Sequence, residues 1–247
     1  ESKVKNILDN RESDGWINTL INLFSLMGEI SANILDVSDS NMSYMMIEFY
    51  TLIAMTCLYG GIMGAVAINW CLANMSSVGK RLSMTPVSKI KLVLSSALAG
   101  YVIQLAGIVL LLAFTTGVLN VNYGSRIGEI ILLSLVGSFA GITMGVAVTA
   151  AIKVGEGAKT GILIGFTMLG CFFAGMMGVS MKYIVDKNMP IINKLNPANM
   201  ITDGFYSLYY YDTLDRYYSN IAALLIFSGI MLAIAIMALR KQKYESI

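Results

Sequence analysis

Residues 49–79 read FYTLIAMTCLYGGIMGAVAINWCLANMSSVG, about 31 consecutive residues without a charged side chain. A helix needs roughly 20 such residues to cross the hydrocarbon of a bilayer. Four more runs of this kind follow: Leu92 to Ser125, Ile130 to Ile152, Thr160 to Met181 and Tyr217 to Leu239. Each exceeds the minimum, and the first two are long enough to tilt or to extend past the headgroups. The runs are continuously apolar. A barrel strand would instead alternate in polarity over about ten residues.

The composition agrees. Of 247 residues, 56% are hydrophobic and 13% charged, and mean hydropathy is +0.69. Soluble domains carry about 25% charged residues. One water-soluble core of this size has no room for so much apolar surface, whereas spans facing lipid need not hide it. The expected fold is therefore all-α and polytopic. It has five spans, about 44–76, 87–118, 127–152, 158–181 and 217–240, within a transmembrane domain over 44–240.

Basic residues orient the spans. Lys80, Arg81, Lys89 and Lys91 lie between the first two, and Lys153 and Lys159 between the third and fourth. Arg240, Lys241 and Lys243 follow the fifth. Only Glu156 and Glu245 oppose them. With alternating spans all three segments share one side, which the positive-inside rule makes cytoplasmic. The C-terminus is then cytoplasmic in a multi-pass protein of the cell membrane. Residues 1–43 carry three basic and seven acidic side chains and form an extracytoplasmic segment. Ile17, Leu20, Ile21, Phe24 and Met27 recur there at the spacing of short surface helices. An N-terminus outside, with no apolar stretch before it, leads to the expectation of a sixth, earlier span in the full protein. The 182–216 loop is external too. It balances acids and bases and is rich in tyrosines (206, 209, 210, 211, 217 and 218 in and beside it) that suit a membrane–water boundary.

The absence of histidine removes Ser-His-Asp and Cys-His catalysis and the zinc helix motifs. Cys57, Cys71 and Cys171 sit in apolar runs without metal-ligand spacing, so no metal is expected. No basic aromatic pattern marks a nucleic-acid binder. Gly155-Glu156-Gly157-Ala158-Lys159-Thr160 superficially resembles a phosphate loop. It fails because Ala158 precedes the lysine and Lys153 stands where the first glycine belongs.

Small residues recur every four positions at Gly60 and Gly64, at Gly137, Gly141 and Gly145, and at Gly157, Gly161 and Gly165. Gly170, Ala174 and Gly178 continue the habit. Such stripes let helix backbones approach closely, either in packing within one subunit or at a subunit or translocation seam. Asn69, Asn74 and Gln104 are the few polar groups inside the spans. Glu48 and Glu129 sit near outer ends, Glu129 within reach of Arg126. Gln104 and the two glutamates are candidate substrate contacts.

Between the first two spans lies Gly79-Lys80-Arg81-Leu82-Ser83-Met84-Thr85-Pro86-Val87-Ser88, in which Gly79 stops one helix and Pro86 opens the next. This hinge, the external segment before it, and Asn196-Pro197-Ala198-Asn199 with Ile201-Thr202-Asp203-Gly204-Phe205 before the last span resemble the ABC-2 type permeases of ATP-binding cassette transporters. The likeness covers nearly the whole chain in topology. The first span expected of that family is absent.

The resemblance implies a permease that pairs with a second copy or a paralogue and binds two ATP-binding subunits. ATP and Mg would sit on those partners, with no cofactor on this chain and no enzyme activity of its own. Residues 76–88 would be the cytoplasmic coupling segment, with Lys80, Arg81, Leu82, Ser83, Thr85 and Pro86 meeting the motor. Cargo would leave by the seam between permeases or along their lipid-facing edge. The resemblance implies an exporter, and the sparsely charged spans favour an amphipathic cargo such as a drug, a lipid-like compound or an antimicrobial peptide. The alternatives are an ion-coupled secondary carrier or channel, and a membrane scaffold or sensor. Against the carrier stand the lack of intramembrane carboxylate chains and of an inverted repeat.

Overall fold

A computed structural model describes residues 44–71, 76–84, 86–121, 123, 126–152, 154–176, 179–211 and 213–241. The chain divides into two units, Glu1–Tyr44 and Met45–Ile247. The expected extracytoplasmic segment 1–43 lies outside the described residues, as does Asn74. All regular structure among the described residues is helical. In chain order the helices are α1 (Tyr44–Cys71), α2 (Ser77–Ser83), α3 (Lys89–Gly117), α4 (Ile127–Ala151), α5 (Glu156–Phe173), α6 (Val179–Asn188), α7 (Pro190–Leu195), α8 (Pro197–Tyr210) and α9 (Asp215–Lys241).

Among the described residues four helices are long and apolar enough to cross a membrane: α1 over Glu48–Cys71, then α3, α4 and α9. The expectation of five differs at α5, which falls short of that measure although it still runs from the end of α4 to the opposite end of the bundle, where its Gly170 meets Asn196. The apolar run from Thr160 to Met181 is not one helix. It stops at Phe173, and the next helix spans Val179–Asn188. The stop is a Schellman motif. Gly175 takes a left-handed φ of 104°, its N–H bonds to the Phe172 carbonyl at 3.2 Å, and the Met176 N–H bonds to the Cys171 carbonyl at 3.1 Å. What remains is an 18-residue helix, about 27 Å long, whose first turn holds Glu156 and Lys159. Hydropathy reads the glycine as one more apolar residue, so the run looked continuous.

Helix α4 is the axis of the bundle, packing against α9, α3, α8 and α5. Of its span 72% is buried, and of the α1 span 61%, against 17% for α3 and for α9. The outer faces of α3 and α9 must therefore be covered by lipid or by other chains. Small residues explain the central pair. A methyl group on Gly145 would overlap the Gly61 carbonyl oxygen, and one on Gly141 the Cys57 carbonyl. A Cβ on Gly64 would lie 2.5 Å from the Ile142 carbonyl. Dispersion between near-touching backbones holds such a crossing where water is absent. Further bonds tie neighbours to it: the Gln104 amide donates to the Thr56 carbonyl at 2.7 Å, and the Tyr101 hydroxyl to the Leu135 carbonyl at 3.0 Å. Ser134, Ser138 and Thr143 donate to carbonyls of α4 itself, which lets them be buried at little cost.

Candidate functional site

Two regions on opposite ends of the bundle carry exposed chemistry. The first is α2, between α1 and α3. Ser76 caps it: its Oγ accepts from the Gly79 N–H at 2.8 Å, and its carbonyl from the Lys80 N–H at 3.1 Å. The cap satisfies N–H groups that a seven-residue helix would otherwise leave open. Lys80 and Arg81 are exposed in the last turn and Leu82 is half-buried. Apolar groups stand out beside them: Met84 is 90% exposed, and Val78 and Val87 are exposed as well. Pro86 is exposed; Thr85 and the Ser83 side chain lie outside the described residues. An exposed methionine among cations is costly in water and useful against another protein.

The second region lies at the far end, where α8 is wedged among α9, α4 and α5. Asn196 is its N-cap. The side-chain oxygen accepts from the Ala198 N–H at 3.0 Å, while the amide donates to the Gly170 carbonyl at 2.7 Å. Pro197 occupies the first turn, where its missing N–H costs nothing. A Cβ on Gly170 would lie 2.8 Å from the Asn196 oxygen, so the α5–α8 joint requires a glycine there. Phe205 stacks on Tyr50 of α1 with centroids 5.0 Å apart.

Around Asp203 of α8 a charged network closes. Arg216 of α9 donates from Nε at 2.9 Å and from Nη2 at 2.6 Å, and Asn220 donates at 3.0 Å. Lys182 of α6 approaches to 3.7 Å; it also bonds the Asn199 side-chain oxygen and pairs with Asp186 at 3.5 Å. Burial alone would push the Asp203 carboxyl up. The bonds from Arg216 and Asn220 and the charges of Lys182 and Arg216 outweigh it, and the carboxyl lies below its ordinary value. This network forms the common wall of two clefts, one of about 700 Å³ on the side of Lys194 and Asn220 and one of about 430 Å³ on the side of Tyr206, Tyr210 and Tyr211.

Residues 4–237 match the family of ABC-2 family transporter proteins. The chain belongs to that family. No curated protein matches it. As an ABC-2 protein it is a membrane-spanning subunit of an ABC transporter, and the family implies an ABC ATPase as partner. The stretches that carried the resemblance form a capped exposed helix at one end of the bundle and a capped wedge at the other.

The remaining candidate residues of this ABC-2 protein scatter. Gly60, Gly64, Gly137, Gly141 and Gly145 all meet neighbouring helices; Gly60 would bring a Cβ to 3.2 Å from Gln104 and Gly137 to 2.9 Å from Ile201. Gly161 and Gly165 do not: among the described residues nothing on a neighbouring element lies within 4 Å of a Cβ placed on either. Gln104 is used in packing α3 on α1. Glu48 is exposed. The Glu129 carbonyl accepts from the Tyr217 hydroxyl at 2.8 Å, and Arg126 donates from Nη1 to the Tyr211 carbonyl at 3.1 Å. None of Glu48, Gln104 and Glu129 lines the clefts described here. The Asp203–Arg216 link was missed as a site. In sequence Asp203 stood only within the Ile201–Phe205 stretch of the resemblance, beside a matched number of acids and bases between Lys182 and Arg216.

Proposed function

We propose that this chain is the permease of an ABC exporter, paired with a second permease and driven by two ATP-binding subunits that bind at α2. The observation that carries this reading is the capped helix α2, with Lys80, Arg81 and Met84 all turned to solvent at the end where basic residues concentrate. A partner that covers Met84 and Val78 gains apolar area at about 25 cal/mol per Å², while the cations set its orientation. Motion of the docked motor reaches α1 and α3 through the short segments that join α2 to them. Because α1 is locked to α4 by the glycine crossing, that motion is passed to the centre of the bundle rather than absorbed at its edge.

The basic end is the cytoplasmic one in this reading, which puts α6–α8 outside. The cargo is amphipathic, such as a drug, a lipid-like compound or an antimicrobial peptide. The lipid-sized apolar faces of α3 and α9 and the mixed clefts beside α8 support it. The test is co-purification of the ATP-binding subunit with the permease from membranes. Wild-type protein should retain it, and the double variant Lys80→Glu, Arg81→Glu should lose at least nine-tenths, about 1.4 kcal/mol, while still inserting. Undiminished co-purification and ATP-dependent transport by the variant would refute the docking role.

A further inference from the structure

We infer that the paired clefts beside α8 form a binding site for an anionic amphiphile, a molecule with a phosphate or carboxylate head and an apolar body. The inference rests on the permease reading only for the claim that this molecule is cargo. The larger cleft has three cations in its lining, Lys182, Lys194 and Arg216, against two carboxylates, Asp186 and Asp203. Both carboxylates are already engaged. Asp203 accepts from Arg216 twice and from Asn220, and Asp186 accepts from the Asn193 amide at 2.6 Å and pairs with Lys182. Donors remain in excess. Lys194 is exposed and makes no ion pair among the described residues, and the Arg216 side chain, which also donates from Nη1 to the Tyr211 hydroxyl at 3.1 Å, is 52% exposed. A site with surplus cationic donors and acceptors already spent selects an anion over a cation.

The smaller cleft supplies the other half of the ligand. It shares Lys182, Asp203 and Arg216 with the first and is walled by Tyr206, Tyr210 and Tyr211. The Tyr210 and Tyr211 rings are exposed. The Tyr206 hydroxyl is buried and lacks a hydrogen-bond partner among the described residues, a donor left open at the edge of the charged wall. Head and body of one molecule thus meet surfaces of matching chemistry on either side of a single charged wall. An inorganic anion would use only the first.

The experiment places the protein in nanodiscs of phosphatidylcholine without the ATP-binding subunit and adds a photoreactive dodecyl phosphate. Adducts should map to residues 182–216. Lys194→Glu should raise the half-saturating concentration about tenfold or more, and Tyr210→Ala about threefold. Both positions are exposed, so neither variant endangers the fold. Unlabelled dodecyl phosphate should compete, and dodecyltrimethylammonium and millimolar inorganic phosphate should not. Labelling that ignores Lys194→Glu, or equal competition by the cation, would overturn the site. Equal competition by inorganic phosphate would overturn the amphiphile in favour of a free anion. A ligand that binds as expected yet leaves ATP hydrolysis by the reconstituted complex unchanged would remove its role as cargo and leave the site standing.

Discussion

Asp203 on α8 is gripped by Arg216 on α9 through two hydrogen bonds, 2.9 Å from Nε and 2.6 Å from Nη2. This clamp fixes the wedge α8 to the last span. Its pH dependence follows from the lowered carboxyl. The unfolded carboxyl titrates near about 3.9, so the stabilisation is complete above that value and is lost as pH falls through the lower folded value. Asp203→Asn should cost about 2 kcal/mol at neutral pH. Unfolding midpoints in detergent should show a gap between wild type and variant that is constant from about pH 5 to 8 and shrinks below about pH 4. A gap that widens in acid would contradict the clamp.

The glycines divide into two groups that behave oppositely on substitution. Gly145→Ala and Gly64→Ala force a methyl into facing backbone, and each should cost about 3 kcal/mol or abolish insertion. Gly161→Ala and Gly165→Ala meet open space and should be neutral or gain about 0.5 kcal/mol from helix propensity. Thermal unfolding of the four variants checks this. A loss at Gly161 or Gly165 seen only in a dimer would place that stripe against a second copy.

Gly175 ends α5 in a conformation that L side chains disfavour. Gly175→Ala should therefore cost about 1 kcal/mol. Gly170→Ala, which crowds Asn196, should cost more and loosen α8. Protease accessibility of the 179–211 segment is the measurement, with the Gly170 variant cut faster.

The bundle was legible in the sequence because uncharged runs report the lack of water directly. The α1–α4 crossing was half legible: four-residue spacing marked the stripes at Gly60 to Gly64 and Gly137 to Gly145, but nothing distinguished them from the stripe at Gly161 and Gly165, which faces outward. The stop at Gly175 was hidden because a Schellman turn needs one left-handed residue and no polar group, and Gly175 stands among apolar neighbours. The Asp203 network was hidden for another reason. Lys182, Asp203 and Arg216 are well separated in the chain, and only the folding back of α6 and α8 onto α9 brings them together.

Asn69 sits on α1, 3% exposed, with neither amide atom hydrogen-bonded among the described residues. A buried amide without partners costs about 1–3 kcal/mol. Asn69→Leu, close in volume, should raise the unfolding midpoint. A fall would mean that the amide has a partner in the working transporter, and transport assays of the same variant would then locate it.

The central claim is that α2 faces the cytoplasm and receives the motor. The three native cysteines are buried, so a single Met84→Cys supplies one reactive thiol at a site 90% exposed in the wild type. In intact cells this thiol should ignore an impermeant maleimide added outside, while Thr213→Cys at the opposite end reacts. The same Met84→Cys should form a cross-link to the ATP-binding subunit. Labelling of position 84 from outside would contradict the account, as would the absence of any cross-link to the co-expressed motor.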